Sequence, residues 1–78
     1  MHIVIAQVDE VFFDGEAESM TVPGAEGQMT VLGEHMPLIT TLKEGNIIVR
    51  ESLDSAPRVF QIESGILEVR RDGATVVL

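Results

Sequence analysis

The sequence predicts an all-β domain, a small β-sandwich or flattened barrel of nine to ten short strands. Three observations carry that prediction. Apolar residues make up 45 % of the 78-residue chain, and they fall in short runs broken by Gly, Pro and Asp rather than in 3.6-residue stripes. Turn signals recur at close spacing, so nine segments fit strands and none makes a convincing helix. Many short strands close into a sandwich or barrel, because that buries one face of each strand against another layer.

The predicted strands are 3–8, 11–13, 19–22, 28–32, 38–42, 46–50, 58–62, 66–70 and 74–78. Ile3-Val4-Ile5 and Ile47-Ile48-Val49 are continuous apolar runs, the pattern of strands covered on both faces. Asp9 and Glu10, neighbours that would point to opposite faces of an extended chain, read as a solvated turn. Met20 and Val22 alternate with Ser19 and Thr21, and Met29 and Val31 with Gln28 and Thr30, so these two runs pair across Pro23-Gly24-Ala25-Glu26-Gly27. There Pro23 fixes its own φ, Gly24 is free to take φ > 0 for a tight turn, Gly27 permits a second reversal, and Glu26 is left at the tip. Pro37 pushes Met36 toward an extended conformation, so the loop 33–36 leads straight into the next strand and holds His35 near its edge. The polar stretch 51–57 reads as a surface hairpin loop. In 66–70, Leu67 and Val69 face the core while Glu68 and Arg70 face water, and Asp72-Gly73 suits a type I′ hairpin turn.

Size and charge narrow the function. A single domain spanning 1–78 buries only a little over ~60 % of the surface its unfolded chain exposes. A core of this size typically supplies no more than roughly 3–5 kcal/mol, so an added staple is expected. With no cysteine, disulfides and Cys-based zinc are excluded, and a partner protein is the remaining staple. Five Lys and Arg against 13 Asp and Glu give a formal net charge of −8, which repels nucleic acid. No apolar stretch approaches the ~20 residues of a membrane-spanning helix, and Met1-His2-Ile3-Val4-Ile5 lacks the basic start of a signal peptide. The chain therefore reads as cytosolic, with no direct membrane insertion.

Catalytic chemistry finds little footing. None of Ser19, Ser52, Ser55 or Ser64 sits in a G-x-S-x-G elbow. The Pro23–Gly27 turn lacks the Lys-Ser/Thr of a phosphate loop and precedes a strand rather than a helix. His35 with Glu34 or Glu63 could form a metal or acid–base pair, but only His2 offers a second imidazole. A small metal-dependent β-barrel enzyme or ligand-binding module is thus the second reading, and no catalytic, cofactor or metal residue is assigned. Met20 and Met29 are expected in the core. Met36, in a loop, is the better interface candidate, because Met adapts to irregular surfaces.

Pro23-Gly-x-x-Gly27, Val31-Leu32, His35-x-Pro37, Leu42-x-x-Gly45 and Gly65-Ile66-Leu67-Glu68-Val69 occur in that order, after Val11-Phe12-Phe13-Asp14-Gly15-Glu16. Together they resemble the N-terminal β-sandwich domain of the ε subunit of the F-type rotary ATP synthase, over nearly the whole chain. The resemblance implies a non-catalytic subunit of the central stalk that links γ to the c-ring and couples ion translocation to ATP synthesis. It implies that Glu26, Gly27 and Gln28 face the c-ring loops, and that Gln7, His35, Met36 and Thr40 lie toward γ. Gln28 stands where many family members carry an acid, and Glu34 where Gly is common. The resemblance also implies a location on the cytoplasmic face of the bacterial inner membrane, as a peripheral part of the complex. Family members usually continue into a two-helix inhibitory domain after a strand like Thr75-Val76-Val77-Leu78. This chain is expected to lack it, either as a natural short form or by truncation.

Overall fold

The computed structural model describes residues 1–33 and 36–78. Its nine strands are β1 (His2–Ala6), β2 (Val11–Glu16), β3 (Ser19–Gly24), β4 (Gly27–Leu32), β5 (Leu38–Leu42), β6 (Gly45–Arg50), β7 (Arg58–Ile62), β8 (Gly65–Arg70) and β9 (Gly73–Val77). No helix occurs among the described residues. All the predicted strands are present, and the all-β sandwich reading holds.

The strands form one hydrogen-bonded ladder that curls over into two layers. One layer runs β2-β1-β9-β8-β5 and the other β4-β3-β6-β7. A single register pair, Gly24 with Leu42, joins them. Neighbours pair antiparallel except β1 and β9, which run parallel. The alternation written in the sequence becomes the packing: Ile3, Ile5, Met20, Ile47 and Leu67 are fully buried in one shared core. Fully burying such a side chain stabilises by about 1.5–3 kcal/mol. Val4 and Ile48, the outward members of the two continuous apolar runs, are only half-buried.

Differences from the sequence reading sit at strand ends. Gly24 ends β3 in register with Gly27, so the turn residues are Ala25 and Glu26, and the positive φ falls on Gly27 (136°) and not on Gly24. Gly24 is needed instead because a Cβ there would lie 2.7 Å from the Gly27 carbonyl oxygen. The last hairpin likewise turns at Arg71-Asp72, with Arg70 opposite Gly73. Gly73 is in strand, where any Cβ would overlap the His2 carbonyl oxygen. In both cases the glycine answers a close backbone approach between strands rather than the turn itself. β1 stops at Ala6, while β2 runs on to Glu16 with Asp14 and Glu16 on its exposed side. His2 begins a strand paired on both sides, β1 being flanked by β2 and β9.

Candidate functional site

Strand directions sort the connections into two groups. Connections 7–10, 25–26, 43–44 and 63–64 leave from one end of the sandwich, hereafter the turn end; 17–18, 33–37, 51–57 and 71–72 leave from the other, the loop end.

The turn end is tied together by backbone. The Ala25 N–H donates to the Thr41 carbonyl (3.0 Å) and the Lys43 N–H to the Pro23 carbonyl (2.9 Å), fixing the β3–β4 hairpin to the end of β5. Gly45, at φ 156°, lies so close to Pro23 that an added Cβ would be 2.9 Å from the proline ring. The Leu78 N–H donates to the Ala6 carbonyl (2.9 Å), and Gly65 packs against Leu78 and Val77. Inside connection 7–10, Gln7 and Glu10 exchange backbone bonds of 2.8 and 3.4 Å. Onto this frame the sequence places Asp9, Glu10, Glu26, Glu44 and Glu63, all exposed, with Lys43 as the one cation. All four arginines, Arg50, Arg58, Arg70 and Arg71, lie toward the loop end.

Glu26, Gly27 and Gln28 are therefore presented as expected, exposed on a braced hairpin. Thr40 sits near them. It is half-buried on the inner side of β5 and lines a groove of about 370 Å³ with Glu26, Gly27, Gln28, Met29 and Leu38. The structure thus brings Thr40 to the hairpin rather than to Gln7. Gln7 belongs to a separate cleft of about 390 Å³, with Phe12, Phe60, Ile62 and Leu78. Met36 is 79 % exposed at the loop end. His35 and Glu34 lie outside the described residues.

Sequence reasoning missed two features. The first is the bulge in β2: Ile5 pairs with Phe13 but Ala6 with Val11, leaving Phe12 as an extra, unpaired residue. Two consecutive phenylalanines at the start of an edge strand were its signal, since strict alternation would put one of them in water. The second is the placement of His2, whose Nε2 lies 2.7 Å from Asp14 and whose Nδ1 lies 3.2 Å from Glu16 across the β1–β2 pair.

Among the described residues no polar or charged side chain is buried, and no three His, Asp or Glu side chains converge into a metal-holding group. Among the described residues no helix is long and apolar enough to cross a membrane. An apolar interior carrying charged, braced turns on its outside defines a small domain of the β-sandwich class. The chain belongs to the ATP synthase delta/epsilon chain family: over residues 1–78 it matches the model described as ATP synthase, Delta/Epsilon chain, beta-sandwich domain. It is 34 % identical to the ATP synthase epsilon chain of Caulobacter vibrioides, covering 99 % of this chain and 87 % of that one. It is 32 % identical to the epsilon chain of Herminiimonas arsenicoxydans, covering 99 % and 55 %. The chain thus spans most of the first relative and about half of the second. Among solved structures it superposes on a chain of the Euglena gracilis mitochondrial ATP synthase, OSCP/F1/c-ring, at a TM-score of 0.86 and 21 % identity, covering 96 % of this chain and 48 % of that one. A chain of the Tetrahymena thermophila mitochondrial ATP synthase central stalk/c-ring gives 0.80 at 14 % identity, covering 99 % and 61 %. These structural likenesses show a shared fold.

Proposed function

We propose that this chain acts as an ε-type subunit of the central stalk of a rotary ATP synthase, without catalytic sites of its own, linking γ to the c-ring. The observation that carries the reading is the family match over all of residues 1–78, joined to an acidic end whose backbone is locked in place. A coupling element has to transmit torque without yielding, and two-residue turns held by glycine contacts and main-chain hydrogen bonds suit that better than mobile loops. Acid at the hairpin tip complements basic loops of a membrane ring, fixing register and speeding docking. Under this reading Glu26, Gly27 and Gln28 face the ring, and Gln7, His35, Met36 and Thr40 lie toward γ. That Thr40 and Gln28 line one groove supports the reading in which the two contacts adjoin. The complex would sit on the cytoplasmic face of a bacterial inner membrane, with this chain peripheral to it and residues 1–78 acting as one domain.

Co-purification tests the proposal. The chain is expected to come down with γ, and His35→Ala or Thr40→Trp to weaken that association while the fold, followed by circular dichroism, is kept. A well-folded chain that fails to bind γ would contradict the reading. Metal analysis of the purified protein addresses the enzyme alternative, which requires a stoichiometric ion.

A further inference from the structure

The curled ladder ends in two strands that meet without pairing. Among the described residues β2 hydrogen-bonds only to β1 and β7 only to β6, so each keeps one unpaired edge, and the two edges face each other across a seam. Toward the loop end side chains fill the seam. Phe13 and Phe60 meet edge to face at 6.3 Å, and the Arg58 guanidinium lies over both rings at 5.1 and 5.6 Å. Toward the turn end the seam is open, forming the cleft of about 390 Å³.

Three properties of that opening point to a ligand. Its floor is apolar, made by Phe12, Phe60, Ile62 and Leu78. Phe12 is there because of the bulge: the extra residue in β2 turns its side chain in beside Phe13, leaving it half-buried rather than out in water. The rim is polar, consisting of Gln7, Gln61, Ser64 and Glu63, its one charged member being Glu63; Asp9 and Glu10 lie in the turn that Gln7 opens, and the nearest cation, Arg58, is held over the phenyl rings in the filled half of the seam. The walls are unpaired strand edges, which offer main-chain donors and acceptors to an added strand.

We propose that the open half of this seam docks an extended peptide segment of another protein, one carrying Lys or Arg, which pairs with the free edge of β7 and seats one bulky apolar side chain against Phe12, Phe60, Ile62 and Leu78. The acidic rim selects a basic segment. The net charge of −8 turns away a second copy of this chain, which would bring like charge to the same place. The site serves whichever protein brings such a segment, so it stands apart from the rotor reading.

The test titrates the isotope-labelled 78-residue chain with the acetylated, amidated peptide Arg-Thr-Arg-Leu-Arg-Thr-Arg, following backbone amide shifts. Shifts are expected at Phe12, Gln61, Ile62, Glu63 and Leu78. Changing the peptide's Leu to Ala is expected to weaken binding about tenfold, as loss of a buried anchor does. N-methylation of its alternate amides is expected to weaken it to a similar extent. On the protein, Phe12→Ala and Glu63→Arg are each expected to reduce affinity. The peptide variants leave the protein untouched, so the outcome does not depend on whether Phe12→Ala folds. Absence of binding would overturn the proposal. So would shifts scattered over the whole acidic surface and indifferent to the Leu, which is the behaviour of charge attraction alone. Insensitivity to N-methylation would overturn the strand pairing.

Discussion

The two ends of the sandwich are built from the same nine strands and solve different problems. At the turn end, three of the four connections are two residues long, and Gly24, Gly45 and Gly65 let backbone or ring atoms of neighbouring segments approach within 3.1 Å of where a Cβ would stand. At the loop end, connections 33–37 and 51–57 are the longer ones. The cations divide in the same way, with Lys43 alone at the turn end and all four arginines at the loop end, where Glu16, Glu18, Glu51, Asp54 and Asp72 accompany them. Two of those arginines are engaged: Arg70 contacts Glu68, Thr75 and Asp72, and Arg58 covers two phenyl rings. What this teaches is that the five acids of the turn end are held by a rigid frame with Lys43 as the one cation among them. An exposed ion pair is worth little, but a fixed, largely uncompensated set of carboxylates creates a field that a basic surface can read.

The largest expected effect marks the limit of that contrast. Gly73→Ala would force a Cβ into the His2 carbonyl; since this is backbone against backbone in the β1–β9 ladder, about 3 kcal/mol should be lost. At roughly 4–8 °C per kcal/mol for a domain of this size, thermal unfolding would read the loss easily. A neutral Gly73→Ala would mean that β1 and β9 are not packed as described. Next comes the turn end itself. Gly45→Ala combines a positive φ with contact on Pro23 at 2.9 Å and should cost about 2 kcal/mol. Gly27→Ala carries the φ strain alone, with open space around it, and should cost about 1 kcal/mol. Gly33→Ala at the loop end has open space and no positive φ. It should change stability by no more than about 0.5 kcal/mol, or raise it by reducing unfolded-state entropy. If Gly33→Ala cost as much as Gly45→Ala, the two ends would not differ in backbone constraint. The smallest effect is expected at His2→Ala, within about 1 kcal/mol, because its contacts to Asp14 and Glu16 are exposed.

Much of this was legible in the chain. The alternation of Met20-Thr21-Val22 and of Leu67-Glu68-Val69 fixes which side chains are buried, because strand geometry leaves no freedom once one face is apolar. The Pro23–Gly27 segment was correctly located as a hairpin presenting Glu26. Its internal geometry was not, because Gly24 and Gly73 are required by distant partners, Gly27 across the hairpin and His2 in another strand, and such contacts leave no local mark. The same holds for the candidate site. Glu26, Gly27 and Gln28 follow from local turn chemistry. The proximity of Thr40 to Gln28 depends on how the end of β5, in the five-stranded layer, meets the end of β3 at the Gly24–Leu42 pair. The β2 bulge hides in Phe12-Phe13, where an extra residue changes which face each ring takes without changing the composition.

The claim on which the account rests is that the turn end carries recognition because its charge is rigidly held there. Charge reversal at matched positions tests it most directly: Glu26→Lys at the turn end and Asp54→Lys at the loop end alter the net charge equally. Each would be assayed for association with the c-ring in the assembled synthase. Glu26→Lys is expected to weaken that association strongly, and Asp54→Lys to leave it near that of the unaltered chain. Equal losses, or a larger loss from Asp54→Lys, would contradict it.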